Sequence, residues 1–129
     1  METKGTLLEA LGIEVVSVAK DKVVATMPVD ERTMQPFGYL HGGATAALLE
    51  TVASIASTAN ADLATQDVFG VELCIRHVKS PRERTVTGTA TPHLLEAHKH
   101  VWDVECRDDS GELLSSGTCA VRIVPKAGR

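Results

Sequence analysis

Residues 42–59 read GGATAALLETVASIASTA, and this stretch decides the fold. Thr45, Leu48, Leu49, Val52, Ile55, Ala56 and Ala59 recur at the three- and four-residue spacing of one helical face. The Gly42-Gly43 pair opens the pattern, and the remaining positions are Ala, Ser, Thr and one carboxylate, Glu50. A surface helix would show a charged face, and this one has none. It is expected to be buried on most sides, with small residues letting other backbone come close. The scarcity of charge extends beyond the helix. Between Arg32 and Asp62, 29 residues hold one charge, where the chain-wide 23% leads to about seven. A lone carboxylate in such a segment is either buried and served by partners or turned toward a ligand.

The flanks change period. Thr6 to Leu11 suits a short helix stopped by Gly12. Ile13 to Ala19 and Lys22 to Val29 read as strands around the turn Lys20-Asp21, with Val23, Ala25, Met27 and Val29 on one face. Pro28 places that strand's end, or a sheet edge, near it. Asp30 to Leu40 is a loop. After the helix, Phe69, Val71, Leu73, Ile75 and His77 alternate along a strand from about Asp67 to Lys79, and Ser80 to Arg82 turns. Arg84 to Thr91 is a strand with Thr85, Thr87, Thr89 and Thr91 on one side. His98 to Arg107 follows, with Trp102, Val104 and Cys106 on its apolar side. Asp109-Ser110-Gly111 is a hairpin turn. Leu113 to Val124 is the last strand, with Cys119, Val121 and Ile123 inward, and the tail from Pro125 to Arg129 is expected to fray. Two strands, one long helix and four antiparallel strands make an α+β chain. A curved antiparallel sheet wrapped around the central helix would cover it on more than one side.

Composition narrows the partners. At 129 residues and 13.7 kDa, residues 1–129 are expected to form one domain able to bury a core without staples. Thirteen basic against 17 acidic residues give a net charge of −4 and a pI near 5.7. The aromatics are only Phe37, Tyr39, Phe69 and Trp102. Nucleic acid, which needs a basic face or a stacking platform, is therefore not an expected partner. Cys74, Cys106 and Cys119 form no CxxC pair and are odd in number, so they read as small hydrophobes rather than a disulfide framework. The start METKGTLLEA lacks a signal pattern, and the uncharged run 33–49 contains Pro36 and three glycines. No membrane association and a reducing, cytoplasmic location are expected.

The chemistry-bearing pattern is Gln35-x5-His41-Gly42-Gly43-x6-Glu50-x3-Ser54. The first N–H groups of a helix lack intrahelical partners and sit at its positive end, where they can bind a developing oxyanion. Glycine there lets a ligand approach the backbone. Glu50 and Ser54, four apart, share one helical face. Buried among apolar residues, Glu50 is expected to have a raised pKa and to act as a base or nucleophile. The bland alternative is a loose helix start and a satisfied core carboxylate. A second cluster, Lys79-Ser80-Pro81-Arg82-Glu83-Arg84, places three cations at a turn, either as a solvated turn or as a phosphate grip. His77 precedes it on the apolar side of its strand. A third stretch, His93-x2-Glu96-x-His98-x-His100 with Glu105 beyond, is partly like a cupin metal motif. Pro92 replaces the preceding glycine, a second motif is absent, and Glu105 has the wrong strand parity, so no metal is expected.

The run QPFGYLHGGATAALLETVAS resembles the thioesterases of the hotdog fold, in the branch of the Arthrobacter-type 4-hydroxybenzoyl-CoA and phenylacetate-pathway thioesterases. GVELCIRHVKSPRERTVTGTATPHL and HVWDVECRDDSGELLSSGTCAV are also similar, so the likeness runs from about residue 8 to 124. The resemblance implies hydrolysis of an acyl-CoA thioester, with Glu50 as nucleophile or general base and the Gly42 N–H polarising the carbonyl. Gln35 and His41 would flank the thioester, and Ser54 would hold water or support Glu50. It implies coenzyme A phosphate contacts among Lys79, Ser80, Arg82 and Arg84, and places His77 and His93 at the pocket. Coenzyme A enters as part of the substrate, and no metal or redox cofactor is implied. The site would be shared between two chains of a homodimer, paired again into a homotetramer. An aromatic acyl group is the branch's common use. Aliphatic acyl-CoA, acyl-carrier-protein thioesters, a same-fold dehydratase and a non-catalytic acyl-CoA sensing module are the alternatives.

Overall fold

A computed structural model of the chain describes residues 1–127. Element order is α1 (Leu7–Leu11), β1 (Glu14–Ala19), β2 (Lys22–Pro28), α2 (Gly42–Thr58), β3 (Gln66–His77), β4 (Thr85–Leu95), β5 (Lys99–Asp108) and β6 (Leu113–Pro125). The six strands form one antiparallel sheet in the order β1-β2-β4-β5-β6-β3, and α2 packs across its inner face. This is the α+β arrangement that the element order led us to expect. Gly12 ends α1 in the left-handed conformation at φ 72°, with its N–H on the Glu9 carbonyl. Pro28 is the last residue of β2, where a missing N–H costs no interior ladder bond.

The core lies between α2 and the sheet. Leu48, Leu49, Val52, Ala53 and Ala56 are fully buried against Val23, Ala25 and Met27 of β2, Ala90 of β4, Trp102 and Cys106 of β5, and Val121 of β6. Each buried Leu or Val side chain contributes about 1.5–3 kcal/mol. Gly88 on β4 leaves room for this contact, since a Cβ there would lie 2.7 Å from Leu48 Cγ. Three buried polar groups fasten the far end of α2. The Trp102 indole N–H donates to Ser57 Oγ at 2.7 Å, and His100 Nδ1 lies 2.8 Å from the same oxygen. Among the described residues, no helix is long and apolar enough to cross a membrane.

Four expectations are corrected. The helix is covered on one side only. Its sheet face is buried, while Ala46, Ala47, Glu50, Thr51 and Ser54 are half-buried or exposed. The alternation along β3 breaks at a bulge between Gly70 and Glu72. Leu73 and Ile75 pack on the core, whereas Phe69 and Val71 are 55% and 53% exposed. Strand β4 runs on through Pro92 and His93 to Leu95, with a second bulge there. The tail does not start at Pro125, which pairs with Gln66. The Lys126 N–H donates to Thr65 O at 2.9 Å and Lys126 Nζ to Asp67 at 3.0 Å. Gly128 and Arg129, also assigned to that tail, lie outside the described residues.

Candidate functional site

The N-terminus of α2 is built by His41. It is the N-cap, and its Nδ1 accepts the Gly43 N–H at 2.7 Å. The Ala44 and Thr45 N–H groups turn back to the His41 carbonyl. Gly42 N–H is thus the helix-end donor left without a partner among the described residues. An accepting Nδ1 carries no proton, so Nε2 is the ring's N–H and its one free donor. His41 therefore serves the helix with one nitrogen and keeps the other as a free donor.

His77 sits against the same helix end. A Cβ on Gly42 would lie 2.9 Å from His77 Nε2, so a larger residue there would have to displace the ring. The ring is oriented through Nδ1, 2.7 Å from Ser115 Oγ on the paired strand β6. Gln35 opens the preceding loop. Its side-chain oxygen accepts the Phe37 N–H, and its backbone N–H donates to Tyr39 O at 2.8 Å. With the oxygen held, the Gln35 amide NH2 is the part available to a ligand.

Glu50 and Ser54 face an open cavity of about 510 Å³, whose other walls include Leu7, Leu8, Ala47 and Leu73. Glu50 is exposed, contrary to the expected burial. Among the described residues, no hydrogen bond reaches the Glu50 carboxylate. The side-chain bonds around α2 belong to His41, Ser57, Thr58 and Asn60. A neighbouring cavity of about 310 Å³ is lined by His41, Gly43 and Met34, and Leu7 borders both. Glu50 lies eight residues beyond Gly42, about 12 Å along the helix.

The cationic turn divides. Lys79 pairs with Glu112 at 3.1 Å, and Arg84 with Asp109 at 3.2 Å. Arg82 stacks over the Tyr39 ring at 4.9 Å instead, and the Leu40 N–H donates to Pro81 O at 2.8 Å, tying this turn to the Gln35 loop. Ser80 is exposed on the same turn. His93 projects from the outer face of the sheet beside Asp103, 3.3 Å away, on the side opposite α2. His100 of the HxH stretch points inward to Ser57. Among the described residues, no three His, Cys, Asp or Glu side chains gather to hold a metal. Burial pushes the Cys106 thiol up to about 12 and the Cys119 thiol up to about 11, so neither is a ready thiolate.

Sequence reasoning overlooked the α1 leucines, Ser115 and Gly70. The apolar run at residues 7–8 and the lone glycine interrupting β3 were the available signals. Ser115 gave none.

The sequence profile of the thioesterase superfamily matches residues 37–115. The chain is 38% identical over 121 residues to the 1,4-dihydroxy-2-naphthoyl-CoA hydrolase of Escherichia coli, covering 94% of this chain and 88% of that one. It is 43% identical over 110 residues to the proofreading thioesterase EntH of Cronobacter turicensis, covering 83% and 77%. The crystal structure of thioesterase HI1161 from Haemophilus influenzae superposes with a TM-score of 0.92 at 33% identity, over 98% of this chain and 88% of that one.

Proposed function

This chain belongs to the thioesterase superfamily, and on that premise we propose that it hydrolyses an acyl-coenzyme A thioester to a free acid and coenzyme A. Relatives named as a naphthoyl-CoA hydrolase and a proofreading thioesterase support thioester hydrolysis, and the former supports an aromatic acyl group. The observation that carries the reading is Glu50, a carboxylate on the wall of an apolar cavity that has no hydrogen-bond partner among the described residues. It sits on the helix whose N-terminus offers the free Gly42 N–H.

Glu50 takes the proton of a water that attacks the thioester carbonyl, or attacks the carbonyl itself. The oxyanion that forms is stabilised by the Gly42 N–H at the positive end of α2. The tetrahedral intermediate collapses, the carbon–sulfur bond breaks, and on the water route the sulfur leaves as a thiol with the proton that Glu50 drew from the water. On the direct route the collapse leaves a mixed anhydride on Glu50, which a second water hydrolyses to the free acid while the sulfur departs as thiolate and takes its proton from solvent. The Gln35 amide and the His41 Nε2–H are the donors that orient the carbonyl and meet the departing sulfur. Ser54, one turn beyond Glu50, holds the water. His77 walls the helix end. Arg82, without a carboxylate partner among the described residues, is the cation for a coenzyme A phosphate. Lys79, Arg84 and Ser80 are secondary contacts. The thioester is already activated, so these groups suffice without a metal or redox cofactor.

The 12 Å offset along α2 supports a site shared between two chains, Glu50 from one and Gln35, His41 and Gly42 from the other. The exposed Phe69 and Val71 on the edge strand β3 support pairing as a homodimer. Two such dimers would make the tetramer. The test is thiol release from benzoyl-, naphthoyl- and aliphatic-CoA substrates by purified protein, with Glu50→Gln beside it and light scattering on both. Coenzyme A binding without turnover would favour a sensing module, and a fully active monomer would break the shared site. Single turnover in isotope-labelled water separates the two Glu50 routes, because only direct attack labels Glu50.

A further inference from the structure

Gly70 lies where the Glu50 side chain comes down on strand β3. A Cβ built there would stand 2.9 Å from Glu50 Oε2, 3.1 Å from Cδ and 3.2 Å from Cγ. The whole end of the side chain, not one atom, rests on the space that the missing Cβ leaves. Gly70 also borders the bulge of β3, where the ladder to β6 shifts between Gly70 and Glu72. The bulge turns this backbone toward the helix while Phe69 faces away. No hydrogen bond holds the carboxylate among the described residues, so a flexible side chain must be directed by shape. Its φ is not in the left-handed region, unlike those of Gly12 or Gly38, so the backbone does not itself call for glycine at this position.

We propose that Gly70 is a positioning residue. Its bare backbone on the β3 bulge forms the seat that aims the Glu50 carboxylate along the cavity wall while leaving both oxygens free of protein partners. This rests on Glu50 being the catalytic carboxylate. Adding one methyl group would push that carboxylate aside by a good fraction of an ångström. A misplacement of that size lowers turnover by about ten- to a hundred-fold. The strand itself has no objection, because the nearest atoms to the new Cβ are the far end of a movable side chain and Ala is better tolerated in a strand than Gly.

The experiment is a double-mutant cycle of Gly70→Ala and Glu50→Gln in the full chain, measured as kcat and KM on one thioester substrate, with melting temperature and light scattering for each variant. Gly70→Ala is expected to fold with an unchanged midpoint and assembly state, to keep KM within about two-fold, and to lose kcat about ten-fold or more. In the Glu50→Gln background, adding Gly70→Ala should change the residual rate by less than two-fold, since nothing remains to aim. Wild-type kcat in Gly70→Ala overturns the proposal. So does a loss that is equally large in both backgrounds, which would act through the strand, and so does a failure to fold or assemble. Full activity in Glu50→Gln strikes the functional reading itself and is distinguishable from all of these.

Discussion

Leu48, Leu49, Val52, Ala53 and Ala56 lose all contact with solvent on one side of α2, whereas Ala46, Ala47, Glu50, Thr51 and Ser54 on the other side look onto open space. Both faces are poor in charge and rich in small residues. The sheet side has six strands to fill against, so its side chains are held by packing. The open side has only the short α1, through Leu7 and Leu8, and the edge of β3 beside it. A lone carboxylate is tolerable there because nothing in the chain removes it from water.

Opposite consequences are expected for changes two residues apart on α2. The largest effect is on the open face: Glu50→Gln should lower kcat by about 10²–10⁴-fold with no change in melting temperature. A wild-type rate, or a large loss of stability, would mean that this face is structural like the other. Leu48→Ala should do the reverse, costing about 2–5 kcal/mol in denaturant unfolding because Gly88 opposite it cannot fill the cavity. Ser57→Ala should cost about 1–3 kcal/mol, since it orphans the buried Trp102 N–H and His100 Nδ1 together. The smallest effect is on pH. Burial holds His100 below its ordinary 6.5, so the unfolded chain binds a proton that the folded chain refuses. That contribution is complete above about pH 6.5 and is lost as pH falls through the lowered value. Melting temperatures from pH 8 to 5 should fall less steeply in His100→Asn than in the wild type. Parallel curves would place the acid sensitivity elsewhere.

Much of the fold was legible because the periods were clean. Val23, Ala25 and Met27 alternate without interruption, and Thr85 to Thr91 separate polar from apolar without a break. Reading failed at β3, where one extra residue at the Gly70–Glu72 bulge moves Phe69 to the other face. The site was half legible. Gln35, His41, Gly42, Glu50 and Ser54 stood out by type and spacing, but their protein partners did not. Sequence could not tell that His41 Nδ1 is occupied by the Gly43 N–H, or that Gln35 oxygen is held by its own loop. Nor could it tell Arg82 from Lys79 and Arg84, because the carboxylates that claim those two, Glu112 and Asp109, come from the distant β5–β6 hairpin.

The sequence by itself determined the element order, the sheet-facing stripe of α2 and the residues available for chemistry. Those depend on local period and residue type. Only the tertiary structure decided which side of α2 stays open, which cation of the 79–84 turn lacks a carboxylate partner among the described residues, and which glycine meets the carboxylate. Those depend on where non-neighbouring strands arrive, and a bulge or a distant turn sets that without leaving a mark in the local pattern.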